Sequence, residues 1–396
     1  MSKLDVELGN LAPLQKKSAA VGVVAVALCL VGAYFNRQQF FQSYLMAYVF
    51  WIGIPLGCWG LVMIHHLVGG TWGFVIQRAL ESAIRTLPIM ALLFVPIFFG
   101  MADLYSWARP EVVAHDKILQ QKSVYLNIPF FTLRTILYFA IWISVGYFLT
   151  KWSREQDNST GASLVDRLQR LSGPGLVLFG LTITFSAIDW LMSLEPRWYS
   201  SIYGMLFMVS YGLAAMAFVI GVAYFLARRE PLSQVFAPWV FHDLGNLLLA
   251  FVMLWAYLSF SQFLIVWVEN LRHEIPWYLR RIIGGWGAIA VTLIVVQFAL
   301  PFVFLLSRTV KRKPATLFGV AIVIGCMHLV EIFWFVAPTF HPTGFSLSWM
   351  DLAAPIGIGG VWFAAFVGSL QGRSLLPARD PRFIAIIEEH QLVKDG

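Results

Sequence analysis

The sequence predicts an all-α polytopic membrane protein with ten transmembrane helices, grouped as two four-helix bundles plus two peripheral helices. Three observations carry that prediction. The 396 residues are 59% hydrophobic and only 12% charged, where a soluble domain carries about 25% charge. Ten apolar segments approach or exceed the roughly 20 residues needed to cross a hydrocarbon core. One short pattern also recurs: Asp189 is followed by Trp190 and, seven residues on, by Pro196, and 142 residues later Glu331 is followed by Trp334 and, again seven on, by Pro338.

In chain order the segments fall at about 18–35, 44–68, 80–104, 129–151, 173–194, 198–227, 242–269, 281–308, 315–338 and 350–371. The first lacks a basic n-region and a small-residue cleavage site and is long enough to span, so it reads as a retained helix and not a signal peptide. The second and third are joined by the tight turn Gly69-Gly70-Thr71-Trp72-Gly73, and the third and fourth by a longer stretch, about 105–128. The fifth and sixth form a hairpin that bends at Glu195-Pro196-Arg197. Pro55, Pro88, Pro96, Pro301 and Pro355 predict bends of the kind membrane helices tolerate when neighbours re-satisfy the backbone; no span reads as broken around a binding site. The 142-residue spacing makes 44–196 the first bundle and 197–338 the second. Residues 1–43 then hold the N-terminus and one peripheral helix, 339–372 the other, and 373–396 a tail whose stretch Arg382 to His390 is amphipathic and suits a surface helix or a docking strand.

Ten spans put both termini on one side, and that side holds nineteen Lys and Arg against nine on the other. The bias predicts that both termini are cytoplasmic. Sixteen Trp and thirteen Tyr suit the two interfacial belts. The net charge of +7 lies in short loops beside apolar runs, so it sets orientation and offers nothing to nucleic acid. Cys29, Cys58 and Cys326 are isolated in apolar runs, with no CxxC or CxxCH to hold a cluster or a c-type haem. P-loop, zinc-hydrolase and serine-nucleophile motifs are absent, as is any soluble catalytic domain. Chemistry therefore belongs to the bundle or to other subunits.

Ionisable groups inside spans are expensive and by default mark a site. They form two depth classes. In the outer class, Asp189 lies about 24 Å from the cytoplasmic start of its span; His328 and Glu331, three residues apart, share a helix face; Asp351 opens the last span and Glu195 sits at the bend. These five suit an outer polar route. The inner class is His65, His66, Glu81, His242 and Asp243, with the tight turn able to bring a histidine near Glu81. Two titratable sets separated by an apolar middle read as two proton half-channels. Plainer readings stand beside this one. His242 or Asp243 caps its helix, Glu81 pairs with Arg85 four residues on, His65 and His66 face water, and Asp351 is an N-cap. A haem held by two histidines needs them at matching depth on facing helices, and the pattern does not offer that.

Two stretches are distinctive. Asp189-Trp190-Leu191-Met192-Ser193-Leu194-Glu195-Pro196 leads into Trp198-Tyr199-Ser200, and His242-Asp243-Leu244-Gly245-Asn246-Leu247-Leu248 leads into Trp255-Ala256-Tyr257 and Ser259-Phe260-Ser261-Gln262-Phe263-Leu264. They closely resemble the second large membrane subunit of alternative complex III, a quinol:cytochrome c oxidoreductase, and the related polysulfide-reductase membrane subunits of NrfD type. The resemblance covers the chain from the His65-His66 region to Pro338 and carries over Asp189, Glu195, His242 and Asp243.

It implies a bacterial cytoplasmic (inner) membrane and a subunit with no cofactor of its own. Implied partners are a paralogous quinol-oxidising membrane subunit, an iron–sulfur subunit, multihaem and monohaem cytochromes c that carry haem c, small membrane subunits and lipids, with room for a terminal oxidase. Conduction of protons through two half-channels is the proposed role of its internal carboxylates and histidines. Two alternatives are a quinone-binding catalytic subunit in its own right, and an independent secondary transporter built on paired bundles.

Overall fold

A computed structural model describes residues 10–157, 162–229, 232, 236–372, 374–377, 380 and 382–383. Among these residues there is no strand, and ten helices are long and apolar enough to cross a membrane. They are α1 (Ala12–Phe35), α2 (Arg37–Val68), α3 (Thr71–Phe99), α4 (Ile128–Gln156), α5 (Ala162–Trp190), α6 (Tyr203–Leu226), α7 (Pro238–Glu269), α8 (Trp286–Leu306), α9 (Pro314–Phe340) and α10 (Met350–Leu370). All ten expected spans are present, most of them longer than their apolar runs. The expected surface helix or strand over Arg382 to His390 lies, from residue 384 on, outside the described residues.

Helix α2 is the axis of the bundle. Most of its length is buried, and it packs against α1, α3, α5, α6, α9 and α10. Small residues set its closest approach: a Cβ on Gly57 would lie 2.0 Å from the carbonyl oxygen of Tyr211 in α6, and one on Gly53 would meet the Tyr211 ring. Without a hydrophobic drive between helices in lipid, such close backbone contact is a main source of association. The same device joins the first helix to the last, where Gly22 of α1 faces Gly357 and Gly360 of α10.

Two helices depart from regularity. Helix α3 is interrupted at Arg85–Thr86, directly before Leu87 and Pro88. The bend expected at Pro88 is here a full interruption two residues before it, favoured because Pro88 has no N–H to close a helical bond. The hydroxyl of Thr86 accepts from the Trp362 indole at 2.8 Å, so the interruption is pinned to α10. In α8, Leu293–Ala299 forms a π-helical turn. It immediately precedes Pro301, whose ring would collide with the carbonyl of residue 297 in a regular helix; widening the turn relieves that collision and turns Gln297 inward, fully buried.

Counting helices from residue 12, the connections at 36, 100–127, 191–202, 270–285 and 341–349 share one end of the bundle, here called distal, and the remaining connections the other, proximal end. The distal connection between α3 and α4 is not loose. It contains the short helices Pro110–His115 and Lys117–Lys122. Tyr105 donates to the carbonyl of Trp190 at 2.9 Å, Lys122 to the carbonyl of Pro196 at 2.5 Å, and Arg197 pairs with Asp116 at 2.8 Å. That connection clamps the bend after α5. The Arg197 guanidinium holds the Asp116 carboxyl below the usual carboxylate range.

The α2–α6 approach yields a stability prediction. Gly57→Ala forces backbone movement and should cost about 1–3 kcal/mol, read as a lower unfolding temperature in detergent. Gly173→Ala, where a Cβ meets nothing within 4 Å, should be neutral or slightly stabilising.

Candidate functional site

The candidate site is the set of ionisable side chains buried between these helices, and the structure sorts them by how their charge is met. Asp189, one residue before the end of α5, is fully buried. Arg134 of α4 grips it with Nε and Nη2, both at 2.8 Å, and the Tyr138 hydroxyl donates at 2.7 Å. The guanidinium also donates to the Tyr125 carbonyl and lies 3.8 Å from the centre of the Tyr125 ring and 4.2 Å from that of Phe130. Glu195 is likewise countered, by Arg280 at 2.6 Å and Arg281 at 2.9 Å, with Thr339 of α9 donating at 2.9 Å. Arg281 is buried, stacks 3.7 Å from the centre of the Trp277 ring and reaches the Phe335 carbonyl. Both carboxylates are held by arginines, which keep their charge at any accessible pH.

Glu331 differs. It is buried in α9, and its Oε2 lies 3.0 Å from Nδ1 of His328, one turn back, and accepts from the Ser210 hydroxyl of α6 at 2.6 Å. Gln297, on the π turn of α8, approaches the same oxygen at 3.3 Å, and the Trp255 indole of α7 donates to Oε1 at 2.6 Å. None of these partners is a lysine or an arginine. The only titratable partner is His328, itself buried, with Nε2 lacking a hydrogen-bond partner and its ring 5.4 Å from Phe50. Such a pair is neutral overall whether the proton sits on the carboxyl or completes a carboxylate–imidazolium pair. A proton can therefore move between them without leaving a net buried charge.

Asp351 also has only neutral donors. Ser43 donates at 2.6 Å and Gln39 at 3.1 Å, both from α2, and the Ser348 backbone N–H at 2.8 Å. It is not the N-cap of α10, which is Trp349; it lies inside the first turn, where the helix dipole favours an acid. A cavity of about 10 Å³ beside it, lined by Gln39, Gln42, Met46, Phe333, His341 and Asp351, has room for one water.

At the proximal end several plainer readings are overturned. Glu81 does not pair with Arg85, which is exposed. Its partners are Arg78 at 2.8 Å, Gln77 at 2.9 Å and Ser153 of α4 at 2.5 Å, and Arg78 also binds Asp157. An i, i+3 partner on the buried face wins over the i, i+4 one that points out. His65 and His66 do not face water; both are buried at the end of α2, and among the described residues none of their four ring nitrogens has a hydrogen-bond partner. Glu81 does not bond to either. His242 and Asp243 do not cap α7, which starts at Pro238. They lie partly exposed in its second turn, 3.7 Å apart, with Asn246 3.3 Å from His242 Nδ1 and itself held by Lys311 at 2.7 Å.

The structure thus brings His328 and Glu331 together. It also joins Glu195 to the α9 face bearing Glu331, because Arg281 bonds to both Phe335 and Thr339, one and two turns further along. Asp189 and Asp351 stand in separate networks, so the five outer residues do not form one bonded route. Sequence reasoning missed Arg134, Tyr138, Ser210, Trp255, Gln297 and Arg281. Arg134 and Arg281 fall inside the expected segments 129–151 and 281–308 but entered only the tally of basic residues. Trp255 stood inside a distinctive stretch without an assigned role.

Among the described residues no group of three or more His, Cys, Asp or Glu is placed to hold a metal ion. No protein-family model matches this chain, and no curated protein matches it. What is shown is an integral multi-pass membrane protein of ten helices.

The Asp189–Arg134 pair gives a direct test of its charge role. Arg134→Ala strands a buried carboxylate and should destabilise by about 3–5 kcal/mol, whereas Arg134→Met combined with Asp189→Leu should recover most of that loss. Thermal unfolding of the purified variants reads both.

Proposed function

We propose that this chain is a cofactor-free membrane subunit of a quinol:cytochrome c oxidoreductase of the alternative complex III type, and that the Glu331–His328 pair is the proton-exchanging element of a path through it. The sequence resemblance in the Asp189–Ser200 and His242–Leu264 stretches supports the assignment to that complex. The single observation that carries the proton reading is the shell around Glu331, where neutral donors and one imidazole replace the arginines that hold Asp189 and Glu195. A carboxylate clamped by arginine is locked as an anion; hydroxyl and indole donors also favour the anion, but the imidazole beside Glu331 can hand it a proton and take it back with no change in net charge.

On this reading Asp189 and Glu195 are fixed charges that shape the distal half, and Asp351 with its water-sized cavity is a second exchangeable group there. The proximal half comprises His65, His66 and Glu81, with His242 and Asp243 at its edge. Both termini face the cytoplasm, as the distribution of basic residues favours. The partners are the quinol-oxidising paralogue, the iron–sulfur and cytochrome c subunits with their clusters and haem c, and small membrane subunits. Helices α1, α7 and α8, largely exposed in the isolated chain, are the faces offered to them and to lipid.

A quinone-binding reading has its own observation. A groove of about 310 Å³ between α1, α2 and α10, lined by Lys17, Val21, Trp51, Ile356, Gly360 and Phe363, is of the size that binds a small amphiphile. Photolabelling of Trp51 by an azidoquinone would favour it.

In the native complex, Glu331→Gln should leave assembly and haem content intact and lower proton release per quinol, with turnover falling by about tenfold or more as for loss of a positioned acid–base group. Asp189→Asn should instead impair assembly. Unchanged rate and stoichiometry in Glu331→Gln would remove the proton role.

A further inference from the structure

We propose that His65 and His66 line a site for buried water, and that the C-terminal segment bearing Leu375, Leu376, Asp380, Arg382 and Phe383 is its cover. As the inlet of a proton path the site rests on the reading above; as a hydrated site it stands on geometry alone.

The two imidazoles occupy the last turn of α2 and are 0% and 1% exposed. A neutral imidazole carries one donor and one acceptor, and here both nitrogens of both rings are unpartnered. At the same end Gln77 Oε1 and Arg78 Nε are also buried and unpartnered. Buried polar groups in folded proteins almost always find a partner, protein or water. The His65 ring is closely packed. A Cβ on Gly73 would lie 1.9 Å from His65 Nδ1, the Phe74 ring meets His65 edge-on at 4.5 Å, and Trp72 stands 5.5 Å off.

Water is the ligand this set selects. It both donates and accepts, and the ring nitrogens supply the two to four partners a buried water needs. A metal ion has too few ligands here, since among the described residues no group of three or more His, Cys, Asp or Glu is placed to hold one, whereas separate waters can serve rings whose centres are 5.7 Å apart.

The C-terminal segment lies on the same corner. Phe383 is buried with its ring 5.7 Å from Phe74, and the Arg382 guanidinium is 5.3 Å from the centre of that ring, so the contact runs from the segment through Phe74 to His65. Asp380 is buried and tied to Arg382 at 2.9 Å, and Leu375 and Leu376 are buried beside them. Burial alone would raise the Asp380 carboxyl, but Arg382 outweighs it and holds the group below the usual carboxylate range. The opposite charges of Asp380 and Arg382 both bear on the two imidazoles. Its described residues are therefore anchored by an aromatic contact and an ion pair on the far side of Phe74 from His65.

The test is X-ray radiolytic footprinting of the full chain in its native complex, with mixing into H2(18)O and mass spectrometry of the peptides holding His65, His66 and Phe74. With bound water, these buried residues should be oxidised, and the heavy isotope should reach them far more slowly than exposed sites such as Tyr199. Phe383→Ala with Asp380→Asn should speed that exchange by about tenfold or more, since the cover then opens more often. Arg382→Gln, a milder change, should act in the same direction and serves if the double variant fails to fold. Absence of oxidation at His65 and His66 in the native protein would overturn the water site. Exchange unchanged in the variants would overturn the cover. Quinol turnover in the same samples reports on the proton path separately, so altered hydration with unaltered turnover would sink that path and leave the site.

Discussion

A carboxylate packed among membrane helices has no bulk water to return to, so every such group here must be answered by another side chain, and the helices are arranged around those answers. Arg134 and Tyr138 of α4 reach Asp189 of α5. Arg280, Arg281 and Thr339 converge on Glu195 from two later elements. Ser43 and Gln39 of α2 meet Asp351 of α10. Four helices, α6 to α9, supply the groups around Glu331. Breaking one such contact leaves a charge or dipole unmet in a medium that charges heavily for it, which is why these bonds define helix order as firmly as apolar packing does.

The networks fall into two chemical kinds. Those built on arginine are permanently charged and serve as fixed struts. Those built on hydroxyl, amide, indole and imidazole groups surround the acid without a permanent countercharge. The recurring acid–tryptophan–proline pattern places one of each kind at related positions in α5 and α9. Asp189 is met by the guanidinium of Arg134, and Glu331 by the hydroxyl of Ser210, the indole of Trp255 and the imidazole of His328. The pattern alone could not separate them, since the decisive partners lie on other helices.

That contrast also marks what was legible in the sequence. Ten spans could be read directly, because runs of about 20 apolar residues have one physical use. The depth of Asp189, His328 and Glu331 followed from helix rise, and the pairing of His328 with Glu331 from spacing within one helix. Contacts between helices were not readable. Arg134 lay inside its expected span with no partner assigned to it, and Gln297 gained its role only through the π turn before Pro301. The burial of His65 likewise rests on contacts with Gly73, Trp72 and Phe74 across the tight turn, which the sequence placed nearby without fixing their packing. Helix ends shifted because the polar first turns of α2 and the polar last turn of α4 extend past their apolar runs.

The seam between α1 and α10 has a consequence for biogenesis. Gly22 interlocks with Gly357 and Gly360, and Ser43 finds its acceptor on Asp351, 308 residues further along. At a synthesis rate of roughly 5–20 residues per second, that acceptor emerges about 15–60 s after Ser43 does. Through that interval the earliest helices must wait in the bilayer without their final neighbours. An insertase or chaperone that shelters nascent spans would find its longest-held client surfaces there.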